Sequence, residues 1–205
     1  MLLAAGQQGS FRYTSTQIGC ACGADERVTQ VTDVAATEGS QRITVSGNGQ
    51  TGHVTVLVTG GSAYLKGDAF ALTTYMGFKA ASVPAYAGRW IQIPPTDHDF
   101  NAVAMDVTLM SSLSDIVVPA PLTLTPMRAL NGSPVLGVTG TKRATAKTQA
   151  ITVSLYGRAT GLRLPVEEDT TVGRYSGRIT FGRWHEPLHV AVPAGATPIA
   201  ATGLE

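Results

Sequence analysis

The sequence has little charge, few cysteines and no long apolar run. Only 14% of its 205 residues are charged, and 15 Lys and Arg against 14 Asp and Glu give a formal net charge of +1. A chain so nearly neutral lacks the basic surface on which nucleic-acid-binding proteins depend. Because no stretch approaches about 18 uninterrupted apolar residues, the sequence also lacks the pattern typical of a transmembrane helix.

The residues that are abundant favour a β-rich globule. Hydrophobic residues make up 43% of the chain, which provides enough apolar surface for a core and argues against disorder. The 23 Gly and 11 Pro interrupt the chain throughout, which argues against coiled coils and helical bundles. We therefore expect one domain over residues 1–205, in which residues 1–8 and 200–205 are flexible or added ends.

Alternation of apolar and polar residues with a period of two predicts strands in two parts of the sequence, one before and one after its middle third. The first set is Ser10–Ile18, Arg27–Thr37, Gln41–Ser46, His53–Thr59 and Ser62–Lys66. The second set is Leu122–Met127, Pro134–Thr139, Gln149–Tyr156, Leu162–Glu167, Gly177–Arg183 and Leu188–Val192. Because the links are short, and Gly60-Gly61 is a two-residue hairpin signal, the first set predicts an antiparallel meander.

Helical spacing replaces this alternation in the middle of the chain. Asp68 can cap a short helix. The apolar face of that helix consists of Leu72, Tyr75 and Met76. The segment Thr96–Asp99 resembles a capping box and opens a longer helix, predicted to end near Leu113. Its apolar stripe consists of Phe100, Val103, Val107 and Met110.

The segment Gly47–Gly52 spells G-x-G-x-x-G, the letters of a dinucleotide-binding loop. That loop must lie between a strand and a helix, so that the helix N-terminus meets the pyrophosphate. Here the valine-rich alternation of His53–Thr59 follows instead of a helix. Asn48-Gly49 is instead a strong signal for a tight hairpin turn.

The segment His185–His189 spells H-E-x-x-H, the signature of zinc metalloproteases. The signature requires a helix, because only a helix places both histidines on one face with Glu186 as general base. Pro187 disfavours that helix, and on a strand His185 and His189 would stand about 13 Å apart. A metal-dependent hydrolase that uses these three side chains is therefore the least favoured function.

Two further features have plain structural explanations. Cys20 and Cys22 flank one residue in a glycine-rich stretch, where they form either a disulfide or two free thiols at a hairpin tip. Two cysteines supply only half of a structural zinc site. The acidic run Glu167-Glu168-Asp169 is predicted to be a solvated turn.

Several motifs, in order along the chain, resemble one known family. These motifs are Ala63–Asp68, Tyr86–Pro94, Leu162–Glu167, Ile179–Pro187 and Pro193–Ala196. They are similar to the core motifs of the actinobacterial envelope lipoproteins of the LppX/LprG type, which have a LolA-like fold. The motif residues carried over are Lys66, Gly67, Asp68, Trp90, Trp184, Glu186 and Pro187. The chain departs from the pattern at His185, where the family has glycine, and at the Cys20–Cys22 pair.

The resemblance implies a mainly β fold with a helical insert, in which a curved antiparallel sheet forms an incomplete barrel around helices. It implies no catalysis and no cofactor, and a lipid or acylated glycolipid as ligand in an apolar cavity. We expect a monomer outside the cytoplasm, in the cell envelope, that contacts the membrane through a lipid anchor not contained in this sequence. Neither a metal nor nucleic acid is an expected partner.

Under this interpretation the sheet and the helical insert both line the cavity. The predicted lining residues are Ile43, Val45, Val54, Val56, Val58, Leu72, Tyr75, Met76, Phe100, Val103 and Val107. The strand members depend on the register, because a shift of one residue would turn every side chain to the other face. The alternative is a structural or interaction module of the envelope, in which the same residues fill a closed core and an exposed apolar patch or sheet edge meets a partner.

Overall fold

Thirteen strands among the described residues pair into one curved sheet that does not close. The structure is a computed structural model, and it describes residues 1–19, 26–146 and 148–199. The strands are β1 (Ser10–Ile18), β2 (Arg27–Ala35), β3 (Gly39–Gly47), β4 (Gln50–Thr59), β5 (Ser62–Gly67), β6 (Ile91–Ile93), β7 (Leu122–Leu124), β8 (Arg128–Leu130), β9 (Ser133–Lys142), β10 (Ile151–Arg158), β11 (Pro165–Val172), β12 (Tyr175–Gly182) and β13 (Thr197–Pro198). The helices are α1 (Leu2–Gly6), α2 (Ala69–Thr74), α3 (Val83–Tyr86), α4 (Phe100–Ala104) and α5 (Leu109–Ser114).

The predicted antiparallel meander is confirmed over β1 to β5. The turn between β3 and β4 places Asn48 at a φ of 52° and Gly49 at 73°, a conformation that Asn-Gly adopts readily. Gly60 and Gly61 make the next turn, also with positive φ. The G-x-G-x-x-G letters therefore belong to a hairpin, as the alternation in β4 predicted.

The two halves of the chain join in the middle of the sheet, where β1 pairs with β2 on one side and β12 on the other. The strand order is β13-β6-β5-β4-β3-β2-β1-β12-β11-β10-β9-β7, and β8 also pairs with β9. All pairs are antiparallel except β13 with β6. Because β1 and β12 are about 170 residues apart in sequence, no local pattern specifies this central pairing.

The longer predicted helix is wrong, because two short helices replace it. α4 ends at Ala104, and Asp106 then adopts a φ of 62°, which a continuous helix cannot contain. Thr108 begins α5 with a capping box that it forms with Ser111. The box predicted at residues 96–99 is also wrong, because Asp97 accepts from the Asp99 backbone nitrogen and α4 starts without a side-chain cap. The cap predicted for α2 is confirmed: Asp68 accepts from Ala71 N.

Two other predictions are corrected in the C-terminal half. Leu188–Val192 is not a strand. The acidic run is not a solvated turn: Glu167, Glu168 and Asp169 lie inside β11, and both glutamates are buried. At the other end of the chain, Leu2–Gly6 form α1, in which Ala5 is fully buried. Cys20, Cys22 and residues 200–205 lie outside the described residues.

The helices lie on one face of the sheet, which we call the concave face, and they pack there as two separate apolar clusters. In the first cluster α2, α3 and α4 cover strands β2 to β6. In the second, α1 and α5 pack on β1, β2 and β10. None of the described helices has the length and apolarity needed to cross a membrane.

Candidate ligand-binding site

A stripe of polar side chains crosses the concave face between the two apolar clusters. It consists of Tyr13, Ser15, Gln30 and Gln41, which alternation turns toward the helices. Gln41 donates to the Tyr13 hydroxyl and to Gln30 Oε1, both at 3.4 Å, and the Ser15 hydroxyl donates to Gln30 Oε1 at 3.2 Å. The apolar wall of the sheet is therefore interrupted where β1, β2 and β3 meet.

A small pocket, called here the polar pocket, opens over this stripe beside α5. Its volume is about 70 Å³, and its described lining includes the carboxyl side chains of Asp106, Asp115 and Glu168. The remaining lining residues are Tyr13, Ser15, Gln17, Gln30, Ser112, Ile116, Ile179 and Phe181. None of these is Lys, Arg or His, so the pocket has carboxyl groups but no cationic side chain.

Burial shifts the pKa values of the groups in this pocket. Desolvation, together with the neighbouring Asp115 carboxyl, raises the pKa of Asp106 to about 7. Desolvation also raises the pKa of Glu168, with smaller contributions from the charges of Asp169 and Asp115. The pKa of the Tyr13 phenol is raised mainly by burial, so Tyr13 stays neutral and donates its proton to the Asp106 carbonyl at 2.8 Å.

The Asp106 shift predicts that stability falls as the pH rises. A carboxyl whose folded pKa is raised binds its proton more tightly in the folded state, so its contribution is complete below the unfolded value of 3.8 and is lost as the pH approaches about 7. After discounting for partial exposure, we expect a loss on the order of 1–2 kcal/mol across that window. Urea unfolding at several pH values measures it. Asp106→Asn should flatten the profile, and an unchanged slope would contradict this assignment.

An apolar groove lies next to the polar pocket, between the C-terminal end of α2 and α4. Its volume is about 450 Å³, and Tyr75, Met76 and Val103 line it together with Ala102. The two spaces are neighbours, because Gln30 of the polar pocket donates to the hydroxyl of Tyr75 in the groove at 2.9 Å. The remaining lining residues are Gly77, His98 and Asp99.

The predicted cavity residues divide between this groove and the first apolar cluster. Tyr75, Met76 and Val103 line the groove. The others pack together in the cluster, where all but the half-buried Phe100 are almost fully buried; they are Ile43, Val45, Val54, Val56, Val58, Leu72, Phe100 and Val107. The structure thus brings all the predicted residues together on the concave face, and their contact with a lipid stays a prediction.

The family-motif residues occupy structural positions around these elements. Lys66 places its ammonium group 5.8 Å from the Trp90 ring centroid. Gly67 lies against Leu72, and a Cβ there would come within 3.0 Å of the leucine side chain. Asp68 accepts from the backbone nitrogens of Ala71 and His53, which ties α2 to β4.

The C-terminal motif closes the other end of the concave face. Trp184 stacks on Phe11 with 4.7 Å between ring centroids. The Glu186 carbonyl, which precedes Pro187, accepts from the Ser10 hydroxyl, and the Glu186 carboxylate lies 3.8 Å from Arg183.

The H-E-x-x-H letters do not form a metal-binding helix. His185 adopts a φ of 65°, and its Nδ1 lies 2.7 Å from the Gln8 carbonyl oxygen. Among the described residues, the group with metal-ligand spacing is Asp97, His98 and Asp99, whose ligand atoms lie within 4.8 Å of one another at the exposed rim of the groove. Within the group, His98 lies 3.5 Å from the Asp97 carboxylate and 3.2 Å from that of Asp99.

Comparison with known proteins supports the fold. No family model matches the chain, and no curated protein matches its sequence. The solved structure of LprF from Mycobacterium bovis is similar, with a TM-score of 0.60 and 14% identity over 95% of this chain and 93% of that one. The Mycobacterium tuberculosis lipoprotein LppX is also similar, with a TM-score of 0.52 and 16% identity over 93% of this chain and 98% of that one. The fold is that of LprF and LppX.

The likeness to LppX and LprF confirms the resemblance to the LppX/LprG-type family that the motifs predicted. It also confirms the mainly β architecture, with an open curved sheet and few short helices. At this level of identity the likeness establishes the fold and leaves the ligand to be argued from the site.

Proposed function

We propose that this chain is a non-enzymatic lipid- or glycolipid-binding and transfer protein of the actinobacterial cell envelope. The groove between α2 and α4 supports the proposal most directly. Its volume of about 450 Å³ lies within the range of about 300–1,000 Å³ common for small-molecule sites, and it opens beside the predicted residues Tyr75, Met76 and Val103. In this proposal one apolar chain lies in the groove against these side chains.

Binding and transfer of this kind need only a difference in solvation. Each CH₂ group removed from water contributes about 0.8 kcal/mol, so a chain gains affinity in proportion to its buried length. The cluster behind the groove, which includes Leu72 and Phe100, would contact a chain that reaches further under the helices. The membrane anchor, the envelope location and the monomeric state are parts of the same proposal.

A bulky side chain in the groove should weaken chain binding. An Ala102→Trp variant places an indole in the space between α2 and α4, and we expect it to lose at least about tenfold in affinity for a fluorescent fatty acid. Asn101→Trp is the matched control, because Asn101 is exposed on the same helix and does not line the groove. Equal affinities for the two variants would overturn the groove as the binding site, and circular dichroism would check that both are folded.

The interaction module is the second candidate, and the closed first cluster together with an exposed sheet edge favours it. Val54, Val56 and Leu72 are at most 1% exposed. At the far edge of the sheet, Leu122 and Leu124 on β7 are largely exposed. Native mass spectrometry separates the candidates: lipid that copurifies from an actinobacterial host supports the carrier, whereas a clean mass supports the module.

A further inference from the structure

Glu168 is buried on the concave face. Its sequence neighbours Glu167 and Asp169 face the convex side, as alternation along a strand requires. It pairs with Leu155 on β10 and Ile179 on β12, and it is 8% exposed. Its Oε1 accepts from the Thr170 hydroxyl at 3.1 Å. Its Oε2 is buried and has no hydrogen-bond partner among the described residues. A buried carboxylate oxygen without a partner is costly, so a missing donor is the feature to explain.

The opposite, convex face shows how this chain normally treats its carboxylates. Glu167 binds the Arg128 guanidinium, and Asp169 accepts from Arg178 at 2.7 Å. On β1 and β2, Arg12 and Asp33 form a further pair at 2.6 Å. Each of these carboxylates therefore has a guanidinium partner. Glu168, which lies between two of them in sequence, faces a pocket whose described lining contains no cation.

The rest of the pocket is rich in hydrogen-bond acceptors. Asp106 and Asp115 add carboxyl oxygens, and Gln17 adds an amide oxygen. Tyr13 and Phe181 add aromatic rings, whose faces attract cations. An anionic group such as a phosphate or a carboxylate would be repelled here. A protonated amine instead supplies several N–H donors, and its positive charge favours the ionised form of the carboxyls whose pKa burial raises.

We propose that the polar pocket binds an alkylammonium group, with Glu168 as its ionic partner. The inference rests on the proposed lipid-binding function and names the head group that this site takes. The hydrogen-bonded side chains of Gln30 and Tyr75 lie between the polar pocket and the apolar groove, so the two spaces are neighbours. In this proposal the side chains of Gln30 and Tyr75 move apart to admit an amphiphile with an amine head and one chain, whose nitrogen lies at Glu168 and whose chain lies beside Met76.

The test compares probes that separate the head group from the chain. The full chain is titrated with dodecylamine, dodecanol and butylamine, with the amphiphiles below their micelle concentrations. Binding is measured by calorimetry and by the shift in Tm. We expect dodecylamine to bind at least about tenfold more tightly than dodecanol, because the charged head adds charge-assisted hydrogen bonds. Butylamine should bind weakly and at the same pocket.

The variants assign the preference to Glu168. Glu168→Gln should reduce the preference for amine over alcohol to less than about threefold. Asp169→Asn, on the same strand but the convex face, should leave it unchanged. If Glu168→Gln fails to fold, Asp115→Asn replaces it, because Asp115 lines the pocket but is largely exposed to solvent. The preference of this variant for amine over alcohol should also fall.

Each outcome decides the inference. Equal binding of dodecylamine and dodecanol overturns the ammonium pocket and leaves the chain groove standing. Binding of butylamine without either amphiphile supports the pocket and overturns the groove. No binding by any probe overturns both the pocket and the groove. If Glu168→Gln prefers the amine as strongly as the unchanged protein does, the pocket alone is overturned.

Discussion

A Gly39→Ala variant is expected to lose about 3 kcal/mol or more of its free energy of unfolding. Gly39 begins β3, directly beneath the segment that joins α4 to α5. A Cβ at this position would lie 1.8 Å from the Val107 carbonyl oxygen and 3.0 Å from the Asp33 carbonyl oxygen. Both contacts are with backbone, so no rotamer change relieves them, and the loss should reach or exceed the upper end of the range usual for overpacking.

Urea unfolding measures the loss, and Gly182→Ala is the matched control. Gly182 lies at the end of β12, and a Cβ there meets nothing within 4 Å. The control should change the free energy of unfolding by no more than about 0.5 kcal/mol. If both variants were equally stable, the α4–α5 connection would not rest on β3 as described.

A Leu72→Ala variant should lose about 2–5 kcal/mol, because it removes a fully buried side chain from the first apolar cluster. The leucine lies between α2 and β5, against Gly67. Leu3→Ala is the control, since Leu3 is 89% exposed on α1 and its truncation should cost less than about 0.5 kcal/mol.

The size of the Leu72 effect also bears on the proposed function. A loss below about 1 kcal/mol would contradict a closed cluster and indicate a space already open under α2. If a lipid chain enters this space, added ligand should restore part of the stability that Leu72→Ala loses, because the chain replaces the missing contacts. Tm shifts with and without dodecanol measure the restoration.

The sequence was sufficient to predict the meander and the start of α2 at its Asp68 cap. Ser10–Ile18 has the same bounds in the prediction and in the structure, because alternation and flanking turns act locally. Leu72 lies in α2 where helical spacing places it, whereas the predicted helix is too long, because α2 ends at Thr74, before Tyr75 and Met76. The break at Asp106 was not predictable from the apolar stripe, since the stripe continues through Val107 and only the backbone conformation of Asp106 ends the helix.

The polar pocket was missed for a different reason. Glu167-Glu168-Asp169 was interpreted from its charge, although Thr170, Thr171 and Val172 after it extend a β-branched strand pattern. Had the alternation been continued through the run, one carboxylate would have had to face inward. The other side chains of the pocket come from β1 and α5, which are far from Glu168 in sequence. Only the three-dimensional fold shows that they lie next to it.

The polar stripe of Tyr13, Ser15, Gln30 and Gln41 has a thermodynamic consequence of its own. Because it separates the two apolar clusters, the free energy that holds α2, α3 and α4 on the sheet does not include the contacts of α1 and α5. We therefore expect the two groups of helices to open with different free energies, which amide hydrogen exchange would measure as different exchange rates. In such an experiment, amides at one end of the concave face would exchange with solvent before those at the other end.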